Sequence, residues 1–165
     1  MEVPVAIQIP LFLKVLAFDR QLHARAGAEV VLGVVFQSGN RASVNARDEV
    51  MRAVSSVRDS VDGLPVRAVA IDLDQEPLAG ALTRNRVTVM YVAPLRAIDI
   101  AAVAAAARTA HVTTMTGVPD YVGRGLAVSV RLQGDRPKLL VNLNASRLEG
   151  ADLSAELLKL AVVIQ

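Results

Sequence analysis

Four short apolar runs, rich in β-branched residues, alternate along the chain with segments of helical periodicity. The runs are Ala28 to Phe36, Val66 to Leu73, Arg86 to Ala93 and His111 to Gly117. Continuous apolar runs of this length are typical of strands buried on both faces of a sheet. The intervening segments predict helices over Ser43 to Asp59, Pro77 to Arg84 and Ile98 to Ala110. This alternation predicts an α/β fold with a mostly parallel central sheet and helices on both faces.

The two ends of the chain extend this unit. Apolar residues recur at three- and four-residue steps from Pro4 to Arg20, which predicts an amphipathic helix. Two strand-like runs, Ala127 to Leu132 and Pro137 to Leu143, are separated by "QGDR", which suits the turn of an antiparallel hairpin at the sheet edge. The segment Leu153 to Ile164 predicts a closing helix over that hairpin. We therefore expect residues 1–165 to form one domain, a three-layer sandwich closed by the hairpin and this helix.

The charge distribution does not suit nucleic-acid binding. The chain has 18 basic and 16 acidic residues among 165, and only 3% of its residues are aromatic. The basic residues are scattered, whereas a protein that follows a phosphate backbone normally clusters its cations and adds stacking aromatics. We expect no nucleic-acid partner.

Several classes of chemistry lack the residues that they need. The absence of cysteine excludes thiol catalysis, thiolate metal sites and disulfides. Neither of the two histidines has a neighbouring pair of carboxylates at zinc-like spacing. His23 is expected in a loop and His111 at the start of a strand, and we expect both to be structural or solvated. The apolar run Ile9 to Phe18 is interrupted by Lys14 and is shorter than the roughly 20 residues that span a bilayer. We predict no metal, no cofactor, no catalytic residues and no membrane-spanning segment.

Two loops follow the first two strands, at the end of a parallel sheet where ligands commonly bind. In "FQSGN", Gly39 either supplies the backbone angles of a turn or belongs to a loop that binds a phosphate through backbone N–H groups. In "DLDQE", Asp72 to Glu76, the carboxylates either form a solvated loop in which Asp74 caps the next helix or contribute to a site. Together with Gly117 to Arg124, these loops define one functional alternative, a small-ligand-binding α/β domain.

A third loop, "GVPDYVGRG" from Gly117 to Gly125, combines three glycines with Tyr121 and Arg124. The Arg124 guanidinium offers a bidentate fork to an anion or to the carboxylate of a partner. The same residues also suit a tight connection that needs glycine. We select Tyr121 and Arg124, with Arg20 at the charged end of the first helix, as candidate partner or anion contacts.

The end of the chain combines polar corner residues with an apolar helix. Asn144 or Ser146 is expected to cap the turn after the last predicted strand. The helix that follows is apolar around more than half of its circumference, so it belongs either to the core or to an oligomer contact. We favour the core.

Four stretches of the sequence resemble the YfiR/HmsC-like family of bacterial periplasmic proteins, in the same order along nearly the whole chain. They are "FLKVLAFDR", "VTVMYVAPL", "YVGRGLAVSVRL" and "PKLLVNLNASRLEGADLSAELLKLAVVI". The last stretch is the most specific, with a strand, an Asn-containing turn followed by Ala145, then Gly150 and a Leu-Leu-x-Leu-Ala helix.

The resemblance implies a small exported α/β protein that is not an enzyme. Such proteins bind the periplasmic sensor region of an inner-membrane diguanylate cyclase and restrain it, which keeps cyclic di-GMP and biofilm formation low. They also dimerise, so the resemblance implies a homodimer as well. The expected location is the periplasm.

The chain departs from the family pattern in two ways. Some relatives carry cysteines, including one just ahead of the central strand, and respond to redox state, whereas Asn85 and Arg86 precede that strand here. Disulfide-based redox sensing is therefore excluded. No signal peptide is visible, since Met1 is followed by Glu2 and a Val-Pro pair, and on the resemblance we expect it to have been removed near Glu2.

Overall fold

The computed structural model describes residues 1–56 and 60–165. It contains a seven-stranded sheet with helices on both faces, which confirms the predicted α/β class. The strands, in chain order, are β1 Val30–Phe36, β2 Val66–Asp72, β3 Val89–Val92, β4 Thr113–Thr116, β5 Val128–Gln133, β6 Arg136–Asn142 and β7 Val162–Ile164. Their spatial order is β2-β1-β3-β4-β5-β6-β7. Neighbours run parallel except β5 and β6, which form the predicted antiparallel hairpin.

Helices cover the sheet on both sides. They are α1 Val5–Ala17, α2 Leu22–Ala26, α3 Arg41–Ser55, α4 Leu78–Arg84, α5 Ile100–Ala110, α6 Leu143–Leu148 and α7 Ala155–Leu160. Because side chains alternate along a strand, Val30, Leu32 and Val34 of β1 face the layer of α1 and α3. Val31 and Val35 face the layer of α4, α5 and a 3-10 helix, Pro119–Arg124. The chain thus has one apolar core on each side of the sheet.

A buried polar contact joins α1 to the middle of the sheet. The hydroxyl of Tyr91 in β3 donates to Oε1 of Gln8 at 2.6 Å, and Gln8 Nε2 donates to the carbonyl of Val3 at 2.6 Å. Both side chains are almost fully buried. Since a buried polar group without a partner is costly, this chain of bonds fixes α1 in one position on the sheet.

The C-terminal segment differs from the prediction of one helix over Leu153 to Ile164. The helix α7 ends at Leu160, and Ala161 has an extended backbone with φ −108° and ψ 158°. The β-branched residues that follow form β7, which pairs parallel to β6 and becomes the edge of the sheet. We expected the hairpin to form the edge of the sheet. Instead, β7 lies outside β6 and forms that edge.

Two further differences concern helices. We predicted a helix over Ser43 to Asp59, and α3 confirms it as far as Ser55, while residues 57–59 lie outside the described residues. The short helix α2 was not predicted, and it includes His23, which we expected in a loop. In the described parts of the chain, no helix has the length and apolar character that crossing a membrane requires.

The position of α7 leads to a prediction for two of its leucines. Leu157 is fully buried, whereas Leu160 is 56% exposed. Leu157→Ala should lower the free energy of unfolding by about 2–5 kcal/mol, because it leaves a cavity in the core. The matched variant Leu160→Ala should change it by no more than about 0.5 kcal/mol. Urea unfolding measures both, and equal losses would contradict the placement of α7.

Candidate functional site

The loops after β1 and β2 meet at the carboxyl end of the sheet. The N–H of Ser38 donates to Asp72 Oδ1 at 3.0 Å, and the N–H of Gly39 donates to Asp74 Oδ2 at 2.8 Å. These are the backbone groups that would bind a phosphate at this position. Carboxylates of the chain itself already accept from them.

Two expectations about these loops are wrong. Gly39 does not have a positive φ, so it is not required for turn angles. Instead, a Cβ at this position would lie 3.1 Å from Asp74 Oδ2, so glycine allows the carboxylate to approach. Asp74 does not cap α4, whose N-cap is Pro77 without a side-chain hydrogen bond. The Asp74 carboxylate accepts from the N–H of Gly39 instead.

Asp72 is suited to its role as an ionised acceptor. Partial burial acts to raise its pKa, but hydrogen bonds from Ser38 and from the N–H of Asp74, with the charge of Arg47, lower the pKa on balance. The same oxygen, Oδ1, accepts from both N–H groups at 3.0 Å. The Asp72 carboxylate therefore accepts from the backbone N–H group that follows β1, as a bound anion would.

The loops after β1 and β3 are also joined directly. The Gln37 side chain accepts from the N–H of Arg96 at 2.7 Å and donates to the Arg96 carbonyl at 3.0 Å. Asn40, at the start of α3, donates to the Pro94 carbonyl at 3.4 Å, while its buried Oδ1 has no partner among the described residues. The crevice where ligands bind in related sheet topologies is thus mostly closed by internal bonds.

Tyr121, one of the selected contact residues, has a structural role. It lies in the 3-10 helix and is 8% exposed. Its hydroxyl accepts from the N–H of Leu95 at 3.0 Å and lies 3.3 Å from the Leu95 carbonyl, to which it can donate. Tyr121 thereby fastens the 3-10 helix to the end of β3.

Arg124 and Arg20 lie in different surroundings. Arg124 is exposed at the end of the 3-10 helix and forms no ion pair with any described residue. Arg20 is exposed as well, but its guanidinium donates to both oxygens of Asp152 at 3.0 and 3.1 Å. The structure does not unite Arg20 with Tyr121, because Arg20 lies where the strands of the sheet begin, whereas the Tyr121 hydroxyl contacts the end of β3.

A buried ion pair organises the end of the sheet where β3 and β4 start. Arg25 Nη2 donates to Asp19 Oδ2 at 2.6 Å and to Thr113 Oγ1 at 2.9 Å. Its Nη1 donates to the carbonyls of His111 at 3.0 Å and Thr88 at 3.3 Å. The Asp19 side chain is 1% exposed and that of Arg25 is 12% exposed. One guanidinium thus holds α2 against the first residues of two strands.

A second buried carboxyl group, that of Glu149, lies between β4 and β5. Its Oε1 accepts from the N–H of Thr114 at 2.9 Å, and the Thr114 hydroxyl donates to Oε2 at 2.6 Å. That hydroxyl accepts from the N–H of Ala127 at 2.8 Å. Since β5 begins only at Val128, Glu149 supplies the partner that Thr114 would otherwise lack. The Glu149 side chain thereby joins the segment after α6 to β4.

Burial controls the ionisation of Glu149. Desolvation raises its pKa to about 8, against the hydrogen bonds from Thr114 and the charges of Arg108 and Arg25, which lower it. A raised pKa in a buried group is often a mark of a functional site, although structural networks produce it too. Glu149 is fully buried, and its described hydrogen-bond partner is Thr114, so its position is that of a structural group.

The histidines were expected to be structural or solvated. His23 Nε2 lies 2.9 Å from Asp62 Oδ2, and both side chains are more than half exposed. His111 does not open a strand as we expected; it ends α5 with a left-handed backbone, φ 55°. Within residues 1–56 and 60–165, no group of three or more His, Asp or Glu side chains is arranged to hold a metal ion.

The polar corner at the end of β6 is capped by a different residue than predicted. We expected Asn144 or Ser146, but Asn142 Oδ1 accepts from the N–H of Ala145 at 3.0 Å and caps α6. Ser146 Oγ donates to the Leu143 carbonyl at 2.8 Å. The capping residue thus lies two positions before Asn144 and four before Ser146.

Sequence reasoning missed Asp19, Arg25 and Glu149 as buried polar residues. Each lies in an irregular or short segment, where a single residue gives no periodic signal of burial. The one signal available was "LEGADL", in which Glu149 is flanked by Gly150, whose φ is 93°. A glycine that permits this conformation can turn the preceding side chain inward.

The sequence matches the family model described as YfiR/HmsC-like over residues 23–162, which is most of the chain. The chain belongs to the YfiR/HmsC-like family. The matched range includes all seven strands except the last two residues of β7, and it contains the corner at Asn142 and the buried Glu149. No curated protein gives a significant match to the sequence of this YfiR/HmsC-like chain.

Solved structures resemble this YfiR/HmsC-like chain in fold. One is an ABC domain from Streptococcus pneumonia in complex with L-Trp, with a TM-score of 0.65 and 16% identity. Another is a conserved domain protein from Vibrio cholerae O1 biovar El Tor, with a TM-score of 0.66 and 15% identity. Each comparison covers 98% of this chain and 60% of the other, so the chain spans about three fifths of these proteins. At such identities the likeness concerns the fold alone.

The buried Glu149 predicts a pH dependence of stability. Its pKa of about 8 in the folded chain exceeds the ordinary value of 4.5, so the folded state binds the proton more tightly. The resulting stabilisation is complete below about pH 4.5 and is lost as the pH rises through about 8. Glu149→Gln, which keeps an acceptor for Thr114, should remove this part of the pH dependence. Urea unfolding from pH 5 to pH 9 tests this, and parallel curves for the two proteins would contradict it.

Proposed function

We propose that this chain is a non-enzymatic periplasmic regulator that binds the periplasmic sensor region of an inner-membrane diguanylate cyclase. Binding would restrain the cyclase and so lower cyclic di-GMP and biofilm formation. The observation that carries this proposal is membership of the YfiR/HmsC-like family over residues 23–162. We also propose that residues 1–165 form a single domain.

The hydrogen bonds between the loops at the carboxyl end of the sheet support a binding role rather than a catalytic one. Enzymes on parallel sheets usually place their reactive groups on such loops. Here Asp72, Asp74 and Gln37 are engaged by backbone groups of neighbouring loops. Groups held in this way stabilise the rim and are not free to act on a substrate.

The surface offers two features that suit a protein partner. Arg124 is an exposed guanidinium without an ion pair among the described residues, and an arginine of this kind pairs well with a partner's carboxylate. Large apolar side chains are exposed in the C-terminal segment, namely Leu148, Leu160 and Val163. Of the residues selected from sequence, Tyr121 and Arg20 are occupied within the fold, so Arg124 is the contact that we retain. A homodimer would use the same kinds of surface.

The small-ligand alternative has one observation in its favour. The buried Oδ1 of Asn40 lacks a partner among the described residues, beside the crevice between the β1 and β3 loops. A ligand with an N–H group would satisfy it. The carboxylates of Asp72 and Asp74, however, already accept from the loop amides after β1 and would repel an anion from them. The regulator is therefore the function that we put forward.

Co-purification tests the proposed function. The purified chain should retain the periplasmic region of a diguanylate cyclase encoded near its gene, and deletion of the gene should raise cyclic di-GMP. Arg124→Glu should weaken this binding about tenfold, since it places a like charge at the contact.

The matched variant is Arg86→Glu, which makes the same change of charge at another exposed position. It should leave binding within about twofold of the unmodified chain. Absence of co-purification together with unchanged cyclic di-GMP after deletion would refute the regulator. Equal losses of affinity in the two variants would show that Arg124 is not part of the contact.

A further inference from the structure

The β5–β6 hairpin concentrates positive charge on one of its faces. In the antiparallel register, Arg131 lies directly opposite Lys138, and Gln133 lies directly opposite Arg136. Because alternate residues of a strand share a face, these four side chains point to the same side of the hairpin. We call them the basic hairpin face. It contains three cations and no carboxylate.

The other side of the hairpin shows which layer this face belongs to. Val130 and Leu139, which are also opposite each other, join the core formed with α1 and α3. The basic hairpin face therefore looks toward the layer of α4, α5 and the 3-10 helix. That 3-10 helix lies against the hairpin, where Asn142 Nδ2 donates to the Val122 carbonyl at 3.3 Å. It also ends in the exposed Arg124, which adds a cation on the same side of the sheet.

The fold itself does not neutralise these charges. None of Arg131, Arg136 and Lys138 forms an ion pair with a residue in the described ranges. Asp135, the one carboxylate of the hairpin sequence, lies in the turn. The nearby Glu2 accepts from the N–H of Leu132 at 3.1 Å and forms no ion pair with these cations among the described residues.

This arrangement is unfavourable for the isolated chain. Like charges directly opposite each other on one face of a strand pair destabilise the sheet. Arg131 and Lys138 are half-buried, whereas Gln133 and Arg136 at the tip are exposed. Partial burial weakens the screening that water would provide. An acidic residue at position 131 or 138 would relieve the repulsion, and so would an acidic group supplied by a partner.

We propose that the basic hairpin face binds an acidic segment of a partner protein. Two of the three cations are arginines, whose planar guanidinium groups form bidentate bonds with carboxylates. Their positions on neighbouring strands match side chains that alternate along an extended acidic segment. Gln133 adds both a donor and an acceptor for the backbone of such a segment.

An anionic membrane fits this face less well than an acidic protein does. Proteins that attach to a bilayer surface combine basic residues with apolar side chains that enter the lipid. The apolar residue on the same side of the hairpin as these cations is Leu140, which is only 7% exposed. The exposed Leu132 belongs to the opposite face. Three cations without an apolar anchor give only weak attraction to lipid headgroups.

This inference rests on the proposed function only for the partner's identity. The binding of an acidic segment can be measured without the cyclase. A suitable probe is a fluorescein-labelled peptide of alternating glutamate and serine, followed by fluorescence anisotropy at about 20 mM and about 150 mM NaCl. The whole chain is used throughout.

The decisive variant is Lys138→Glu, since it places opposite charges across the strand pair at Arg131. The variant should be at least as resistant to urea as the unmodified chain. Its affinity for the peptide should nevertheless fall about tenfold at the lower salt concentration. A protein that is no less stable and yet binds less well has lost binding for a reason other than misfolding.

The matched control is Lys14→Glu, which makes the same charge change at an exposed position of α1 on the other side of the sheet. It should lower the affinity by less than about twofold. Equal losses in the two variants would show diffuse attraction and overturn the proposal. So would binding to phosphatidylglycerol vesicles, with phosphatidylcholine vesicles as reference, in the absence of peptide binding. Peptide binding at the hairpin, without co-purification of a cyclase and with unchanged cyclic di-GMP after deletion, would refute the proposed function but not this inference.

Discussion

The buried pair of Asp19 and Arg25 is the contact on which the rest of the arrangement depends. Arg25 reaches the backbone just before β3 and β4 and bonds to Thr113, while Asp19 Oδ1 accepts from the N–H groups of Gln21 and Asp152. A charged pair removed from water is costly unless its remaining bonding groups are satisfied. Here they are nearly all satisfied, although Arg25 Nε has no partner among the described residues.

This pair also brings the two ends of the chain together. The N–H of Arg20 donates to the Asp152 carbonyl at 3.0 Å, and the N–H of Ser154 donates to the Phe18 carbonyl at 3.0 Å. Two of the stretches that resemble the family, at the end of α1 and near the C-terminus, are therefore hydrogen-bonded to each other, although the family model matches only from residue 23 onward. The surfaces that we propose for binding, at Arg124 and on the basic hairpin face, lie elsewhere.

Periodicity predicted the helices and strands in which apolar residues recur at regular spacing. It did not predict the features that depend on a single contact between distant residues. The runs around Val34, Tyr91 and Met115 are buried on both faces of the sheet, so their strands could be predicted from apolar content. The change from helix to strand at Ala161 could not, because Leu160 and Val162 suit either state until β6 offers its edge. The roles of Gly39 and Asp74 depend on two loops that are 35 positions apart and meet only in the folded chain. The hydrogen bonds of the Tyr121 hydroxyl show the same limit, since Leu95 lies 26 positions away in the sequence.

The most direct measurement is amide hydrogen exchange in Asp19→Ala, with Asp152→Ala as the control that breaks only the exposed pair with Arg20. Leaving the mostly buried Arg25 without its carboxylate should lower the free energy of unfolding by about 3–5 kcal/mol. Protection should fall together at Ser154 in the C-terminal segment and at Thr113 where β4 begins, whereas the control should lose no more than about 1 kcal/mol. A loss confined to the amides of Gln21 and Asp152, with stability equal to that of the control, would contradict the central role of this pair.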